Sequence, residues 1–169
     1  MDMISASAVG GEGLRGSKWD EKGRGEVAQN FVSYKDNRIV ISLQFLFFEN
    51  GNLVLSKPHG YGYGHGSNFN AVVLDYPSEF LTSIRGSFGS WDGYSVLNSI
   101  SFGTNKGSYG PFGGTPSADD SDRGFNFQIG NYRSFGGFYG STNKYGIESI
   151  GVYVKTITTS MINSKDSSV

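Results

Sequence analysis

IVISLQF at residues 39–45, VLNSISF at 96–102 and ESIGVYV at 148–154 repeat one pattern, with apolar side chains at the third, fifth and seventh places except at Asn98. Alternation with period two marks a strand that buries one face. In the first copy the apolar face runs Ile39, Ile41, Leu43, Phe45 and Phe47, with Ser42 and Gln44 on the other. The copies start 57 and 52 residues apart, which leaves room for about four short strands in each unit. Two further correspondences keep the period. Ile84-Arg85-Gly86 precedes the second copy as Phe138-Tyr139-Gly140 precedes the third, and Phe69-Asn70 matches Phe125-Asn126. Three divergent copies, none able to bury its apolar face alone, predict an all-β domain in which three sheets share one core around a pseudo-threefold axis.

Composition points the same way. The 26 glycines among 169 residues are about twice the usual share of roughly 7%, and each would cost a helix interior about 1 kcal/mol against alanine. Further strand patterns lie at Phe80, Thr82 and Ile84 and at Phe125, Phe127 and Ile129, separated by the turn clusters ENGN (49–52), KPHGYGYGHGSN (57–68) and GGTPSADDSD (113–122). Fourteen basic residues against fifteen acidic give a net charge of −1, which offers no electrostatic footprint for nucleic acid. The absence of cysteine excludes disulfides, thiolate metal sites and thiol nucleophiles, and suits a reducing compartment. The opening MDMISASAVGGEG lacks the basic and apolar regions of a signal peptide and no apolar run approaches a membrane span, so a cytoplasmic or nucleocytoplasmic location without membrane insertion is expected.

The segment TNKGSYGPFGG, Thr104 to Gly114, resembles the TNK…YGPFG hallmark of the jacalin-related lectins. So do VGGEG followed by Trp19-Asp20 near the start and GGFYG…GIESIGVYV from Gly136 to Val154. The resemblance implies a β-prism of three four-stranded Greek-key sheets with pseudo-threefold symmetry. It gives a lectin domain over residues 9–157, preceded by an N-terminal extension (1–8) and followed by a polar tail (158–169) that is expected to be disordered.

Motifs for other chemistry are weak. GEGLRG (Gly11 to Gly16) fits GxGxxG, but without a preceding strand and a following helix it reads as a glycine-rich loop rather than a dinucleotide site. His59 and His65 have no carboxylate or thiolate neighbours in sequence and read as exposed loop histidines, not metal ligands. No serine lies in a strand-turn-helix elbow for a triad, and Asp119 and Asp120 sit in a solvated loop where general acid chemistry is not favoured. No enzyme activity, cofactor or metal is expected.

The segment GSTNKYGIE (140–148) carries the most information about function. Aligned by their apolar pattern, the first two repeats have Ile39 and Val96 where the third has Glu148, so only one unit sets a carboxylate at the head of this strand. A carboxylate beside glycine-rich backbone can accept from two sugar hydroxyls while N–H groups donate to their oxygens. In the resembled family the loop has the form GxxxD and binds a hexose with help from an N-terminal glycine. Here it is one residue longer and ends in glutamate. The resemblance implies Glu148 as the ligand carboxylate, Tyr145 and Gly146 as backbone donors, Lys144 beside them because of the extra residue, and Gly13 or Gly16 as the N-terminal glycine. It also aligns GSFGSWDG (86–93) with the neighbouring loop, where Phe88 or Trp91 either stacks on a sugar face or packs at the rim. The expectation is a lectin for mannose- or glucose-type glycans or glycoproteins, of the nucleocytoplasmic mannose-preferring branch and associated with plant stress or defence. One site per chain would favour a homo-oligomer. The alternative is a jacalin-like module that has lost sugar binding and takes a protein partner.

Overall fold

The structure, a computed structural model, describes residues 3–5, 9–10, 14–35, 39–61, 68–114 and 123–155. The expected tail at 158–169 lies outside them, as do Gly13, His65, Asp119 and Asp120. Among the described residues fourteen strands are formed: β1 (Met3–Ser5), β2 (Val9–Gly10), β3 (Ser17–Asp20), β4 (Glu26–Lys35), β5 (Ile39–Glu49), β6 (Asn52–Leu55), β7 (His59–Gly60), β8 (Asn68–Val73), β9 (Leu81–Trp91), β10 (Tyr94–Thr104), β11 (Ser108–Gly113), β12 (Gly124–Gln128), β13 (Ser134–Asn143) and β14 (Gly146–Lys155). They make three antiparallel sheets ordered β6-β5-β4-β8, β11-β10-β9-β12 and β1-β14-β13-β3, with β7 also pairing β5 and β2 also pairing β14. Each has a central hairpin, β4-β5, β9-β10 or β13-β14, whose outer neighbours complete a Greek key. This is the β-prism.

The three central hairpins share a bulge, and it fixes the pseudo-threefold register. Ser33 pairs Ser42 and Tyr34 pairs Val40, which leaves Ile41 unopposed. Ser87 pairs Ser99 and Phe88 pairs Leu97, which leaves Asn98 unopposed. Ser141 pairs Ser149 and Thr142 pairs Ile147, which leaves Glu148 unopposed. The serine after each bulge faces a glycine of the outer strand: Gly60, Gly113 and Gly10. Glu148 is therefore equivalent to Ile41 and Asn98, not to Ile39 and Val96. The apolar pattern aligned the third copy two residues out, because a shift of two keeps the same inward and outward alternation. The bulge also puts both Val40 (0% exposed) and Ile41 (3%) inside, against the strict alternation expected from Ile39. The Phe69-Asn70 match to Phe125-Asn126 is corrected too. Phe69 pairs Ser33 and faces solvent, whereas Phe125 pairs Gly86 and lies in the core.

The core lies on the axis between the sheets. Val40, Leu97 and Ile147, one from each bulge, are fully buried, and the rings of Phe45 and Phe138 stack across two sheets at 4.4 Å. The TNK…Y hallmark also has a structural role. Glu79, buried in the 75–80 connection, accepts from the amide of Asp75 (3.0 Å), Thr104 Oγ1 (2.7 Å) and the Tyr109 hydroxyl (2.8 Å). Asn105 adds two bonds to the same connection, accepting from the amide of Phe80 and donating to the carbonyl of Ser78. Burial pushes the Glu79 carboxyl up, but the bonds from Asp75, Thr104 and Tyr109 outweigh it and hold the pKa below its ordinary value.

Candidate functional site

The bulge in β14 aims Glu148 at the mouth of the prism, where the segment Leu14–Gly16 returns to start β3. Both carboxylate oxygens are engaged there. The amide of Arg15 donates to Oε1 (2.7 Å), and that of Gly16 to Oε1 (3.1 Å) and Oε2 (2.9 Å). Gly16 is required by close approach. A Cβ at this position would stand 1.8 Å from the Thr142 carbonyl oxygen and 2.8 Å from Glu148 Oε2. Burial pushes the Glu148 pKa up, but the amide of Arg15, the side chain of Ser141, the amide of Gly16 and the side chain of Asn143 together hold it below its ordinary value. The group is thus an ionised carboxylate with no exposed surface.

The surrounding loop is a two-residue turn. β13 runs to Asn143 and β14 starts at Gly146, which pairs Asn143, so Lys144 and Tyr145 are the whole turn. The amide of Tyr145 donates to Asn143 Oδ1 (2.9 Å), and Gly146 is buried against the backbone of β5, where a Cβ would lie 2.7 Å from the Val40 carbonyl oxygen. Neither is the open backbone donor expected. Lys144 does reach the site. Its ammonium lies 4.8 Å from the Tyr94 ring centroid and 5.2 Å from that of Tyr145, while the Arg15 guanidinium lies 4.6 Å from Tyr94.

The second wall is the β9-β10 hairpin. Its turn at Asp92 (φ 51°) and Gly93 (φ 78°) uses the positive φ that a two-residue hairpin needs. It is tied to the first wall by Arg15 Nη2 donating to the Gly93 carbonyl (2.8 Å) and by the Tyr145 hydroxyl donating to Asp92 Oδ2 (3.1 Å). Trp91, opposite Tyr94 in the register, is 45% exposed. Phe88 is 0% exposed and packs in the core at 5.4 Å from Phe125, so it neither stacks on a sugar nor packs at the rim. The structure brings Gly16, Lys144, Tyr145, Glu148 and Trp91 to one pole, together with Arg15, Asp92, Tyr94 and Asn143, which the sequence did not single out. The Asn-Lys-Tyr-Gly string was a turn signal that could have found Asn143. Arg15 and Tyr94 carry no local signal, because they meet only when strands far apart in the chain converge.

His59 is also corrected. It is half-buried, stacked on Trp19 at 4.2 Å and bonded to Glu21 Oε1 at 2.9 Å. Burial lowers its pKa despite the carboxylate. Among the described residues no cluster of His, Cys, Asp and Glu could hold a metal ion.

The model of the Jacalin-like lectin domain matches residues 6–153. Jacalin-related lectin 2 of Arabidopsis thaliana is 38% identical over 143 residues, covering 81% of this chain and 76% of the relative. Protein RESTRICTED TEV MOVEMENT 1 of the same plant is 37% identical over 142 residues, covering 83% and 78%. Among solved structures, artocarpin in complex with mannopentose superposes with a TM-score of 0.76 at 27% identity, covering 92% of this chain and 99% of that one. The family consists of carbohydrate-binding proteins without enzymatic activity. With the hallmark segments, the prism and the match over residues 6–153 in agreement, this chain belongs to the jacalin-like lectin family.

Proposed function

We propose that the protein is a lectin that takes mannose- or glucose-type glycans at the Glu148 pole, in a plant stress or defence role within the cytoplasm or nucleus. The observation that carries this reading is the clamp of the Arg15 and Gly16 amides on the Glu148 carboxylate. A hydroxyl both donates and accepts, so it is the group that can insert between an N–H and a carboxylate and satisfy both. Two neighbouring sugar hydroxyls would do this at the two oxygens, with Tyr94, Tyr145 and Trp91 as aromatic walls. The mannopentose complex of artocarpin supports the choice of sugar class.

Insertion must first open bonds to a charged group, each contributing about 1.5–3 kcal/mol, and millimolar binding is only about −4 kcal/mol in total. Weak, millimolar affinity for a monosaccharide is therefore expected. Titration with methyl α-mannoside, followed by NMR, tests this. Binding should be lost in Glu148→Gln. It should tighten several-fold in Glu148→Asp, whose carboxylate retreats by about 1.5 Å and frees both amides.

The full burial of Glu148 favours a second reading, a protein-interaction module with its sugar site shut. Folded wild-type protein that binds no sugar at millimolar concentration, on a glycan array or in solution, would select it.

A further inference from the structure

We propose that the outer face of the β11-β10-β9-β12 sheet holds a binding site separate from the Glu148 pole, an arginine-headed trough that takes the carboxylate of a small organic acid. The shared bulge register makes outward positions equivalent in the three sheets and shows what sets this face apart. In the first sheet Phe31 stands between Ala71 and Gln44. In the third, Tyr139 stands between Asp20 and Gly151. In the second, Arg85 stands between Asn126 and Ser101. The two aromatic residues lie down on their own sheets. Phe31 stacks on Phe69 at 6.1 Å. The Tyr139 ring packs on Tyr153 at 5.0 Å and covers Gly151, where a Cβ would stand 2.3 Å from it.

Arg85 does neither. It is exposed, and among the described residues its side chain makes no hydrogen bond, ion pair or ring contact. With small side chains around it, the face opens into a trough of about 520 Å³ lined by Arg85, Ser101, Pro111, Gly124, Phe125 and Asn126. Ser101 is only 6% exposed, yet its hydroxyl has no hydrogen-bond partner among the described residues. Asn126 makes one long bond, its Nδ2 donating to Gln128 Oε1 at 3.4 Å. Arg85 is the one charged residue of the lining. Folding does not require this arrangement, since the same scaffold accepts Phe31 and Tyr139 at the equivalent place.

The chemistry of the lining selects the ligand. A guanidinium presents planar N–H donors and no acceptor, so the two oxygens of a carboxylate match it, whereas a sugar hydroxyl must also donate. The Ser101 hydroxyl and the Asn126 amide flank Arg85 in the register and can donate to the same oxygens. The remaining walls, Pro111, Gly124 and Phe125, offer carbon and no further polar side chain. They suit an apolar body that carries the carboxylate better than a fully hydrated inorganic anion. None of these residues belongs to the Glu148 pole, so the inference does not rest on sugar binding.

Titration of the full chain with benzoate, followed through the backbone amide NMR signals, tests it. Millimolar binding is expected for so small a probe, with the largest shifts at Arg85, Ser101, Gly124 and Asn126. Benzamide, which keeps the shape without the charge, and inorganic phosphate, which keeps charge without the apolar body, should each bind about tenfold more weakly or worse. Arg85→Tyr copies Tyr139 of the third sheet, and Asn126→Asp copies Asp20 and sets a competing carboxylate beside Arg85. Each should weaken benzoate binding by about tenfold or more, while methyl α-mannoside titrates as in the wild type. Asn126→Asp is nearly isosteric at an exposed position and stands in if Arg85→Tyr misfolds. A wild type whose amides at these four residues do not respond to tens of millimolar benzoate overturns the proposal, including one in which an aspartate of the DDSD run (119–122) already occupies Arg85. So does equal binding of benzamide or phosphate, or benzoate binding that survives both variants.

Discussion

Glu79 and Glu148 are both buried, at 4% and 0% exposure, and in both the hydrogen bonds outweigh burial and keep the carboxyl ionised. They differ in where the donors come from. Those on Glu79 lie 4, 25 and 30 residues away and belong to one repeat, as a side-chain staple written into Thr104, Asn105 and Tyr109. Two of those on Glu148 are backbone amides 132 and 133 residues away, brought by the returning N-terminal segment. One carboxylate closes a repeat. The other sits where the chain closes on itself, and its donors are groups that a bound hydroxyl could equally use.

The comparison predicts that Glu79→Ala has the largest effect on stability. It removes the acceptor of one amide and two hydroxyls that are only partly buried, at about 1–3 kcal/mol each before relaxation and rehydration, so a loss of about 3 kcal/mol is expected in urea unfolding, with sugar binding per folded molecule unchanged. A loss below about 1 kcal/mol would show that the staple is dispensable. Glu148→Gln should cost less, about 2 kcal/mol, because it keeps an acceptor and the same shape while losing the charge. A neutral outcome would mean that the Arg15 and Gly16 amides find water as readily as the carboxylate.

Acid titration sharpens the contrast. Both carboxyls have folded pKa values below the ordinary 4.5. Their contributions are therefore complete above about pH 4.5 and are lost as pH falls through the lower, folded values. The stability difference between wild type and Glu148→Gln should be constant from neutral pH to about 5 and shrink below that. A difference that instead grew on acidification would reverse the assigned sign and refute the clamp.

Much of this was legible in the sequence. The three strand copies and the glycine content give three sheets and one core, because periodicity and turn chemistry are local. The TNK…Y string identifies the family, and the structure adds the reason for it in Glu79. The register at Glu148 was not legible, since sliding one copy by two residues leaves a period-two pattern intact. Nor was its burial, which depends on backbone amides supplied 133 and 132 residues away. Phe88 shows the same limit. In GSFGSWDG it looks as available as Trp91, and only the pairing of Phe88 with Leu97 places it inside.

The smallest effect is predicted within the hallmark itself. Lys106 Nζ lies 3.2 Å from Asp75 Oδ2 and 2.8 Å from Ser78 Oγ, on the same connection that Glu79 anchors. The partners are exposed, 43% for the lysine side chain and 78% for the aspartate, so water and salt screen the pair and side-chain ordering offsets what remains. The hydrogen bond to Lys106 lowers the pKa of Asp75, but this reports a contact in solvent rather than a buried stabilising one. Lys106→Ala should therefore leave the thermal midpoint unchanged within error, although the lysine belongs to the same TNK string as Thr104 and Asn105. A fall comparable to that of Glu79→Ala would mean that the ion pair, and not the Thr104 and Tyr109 hydroxyls, closes the staple.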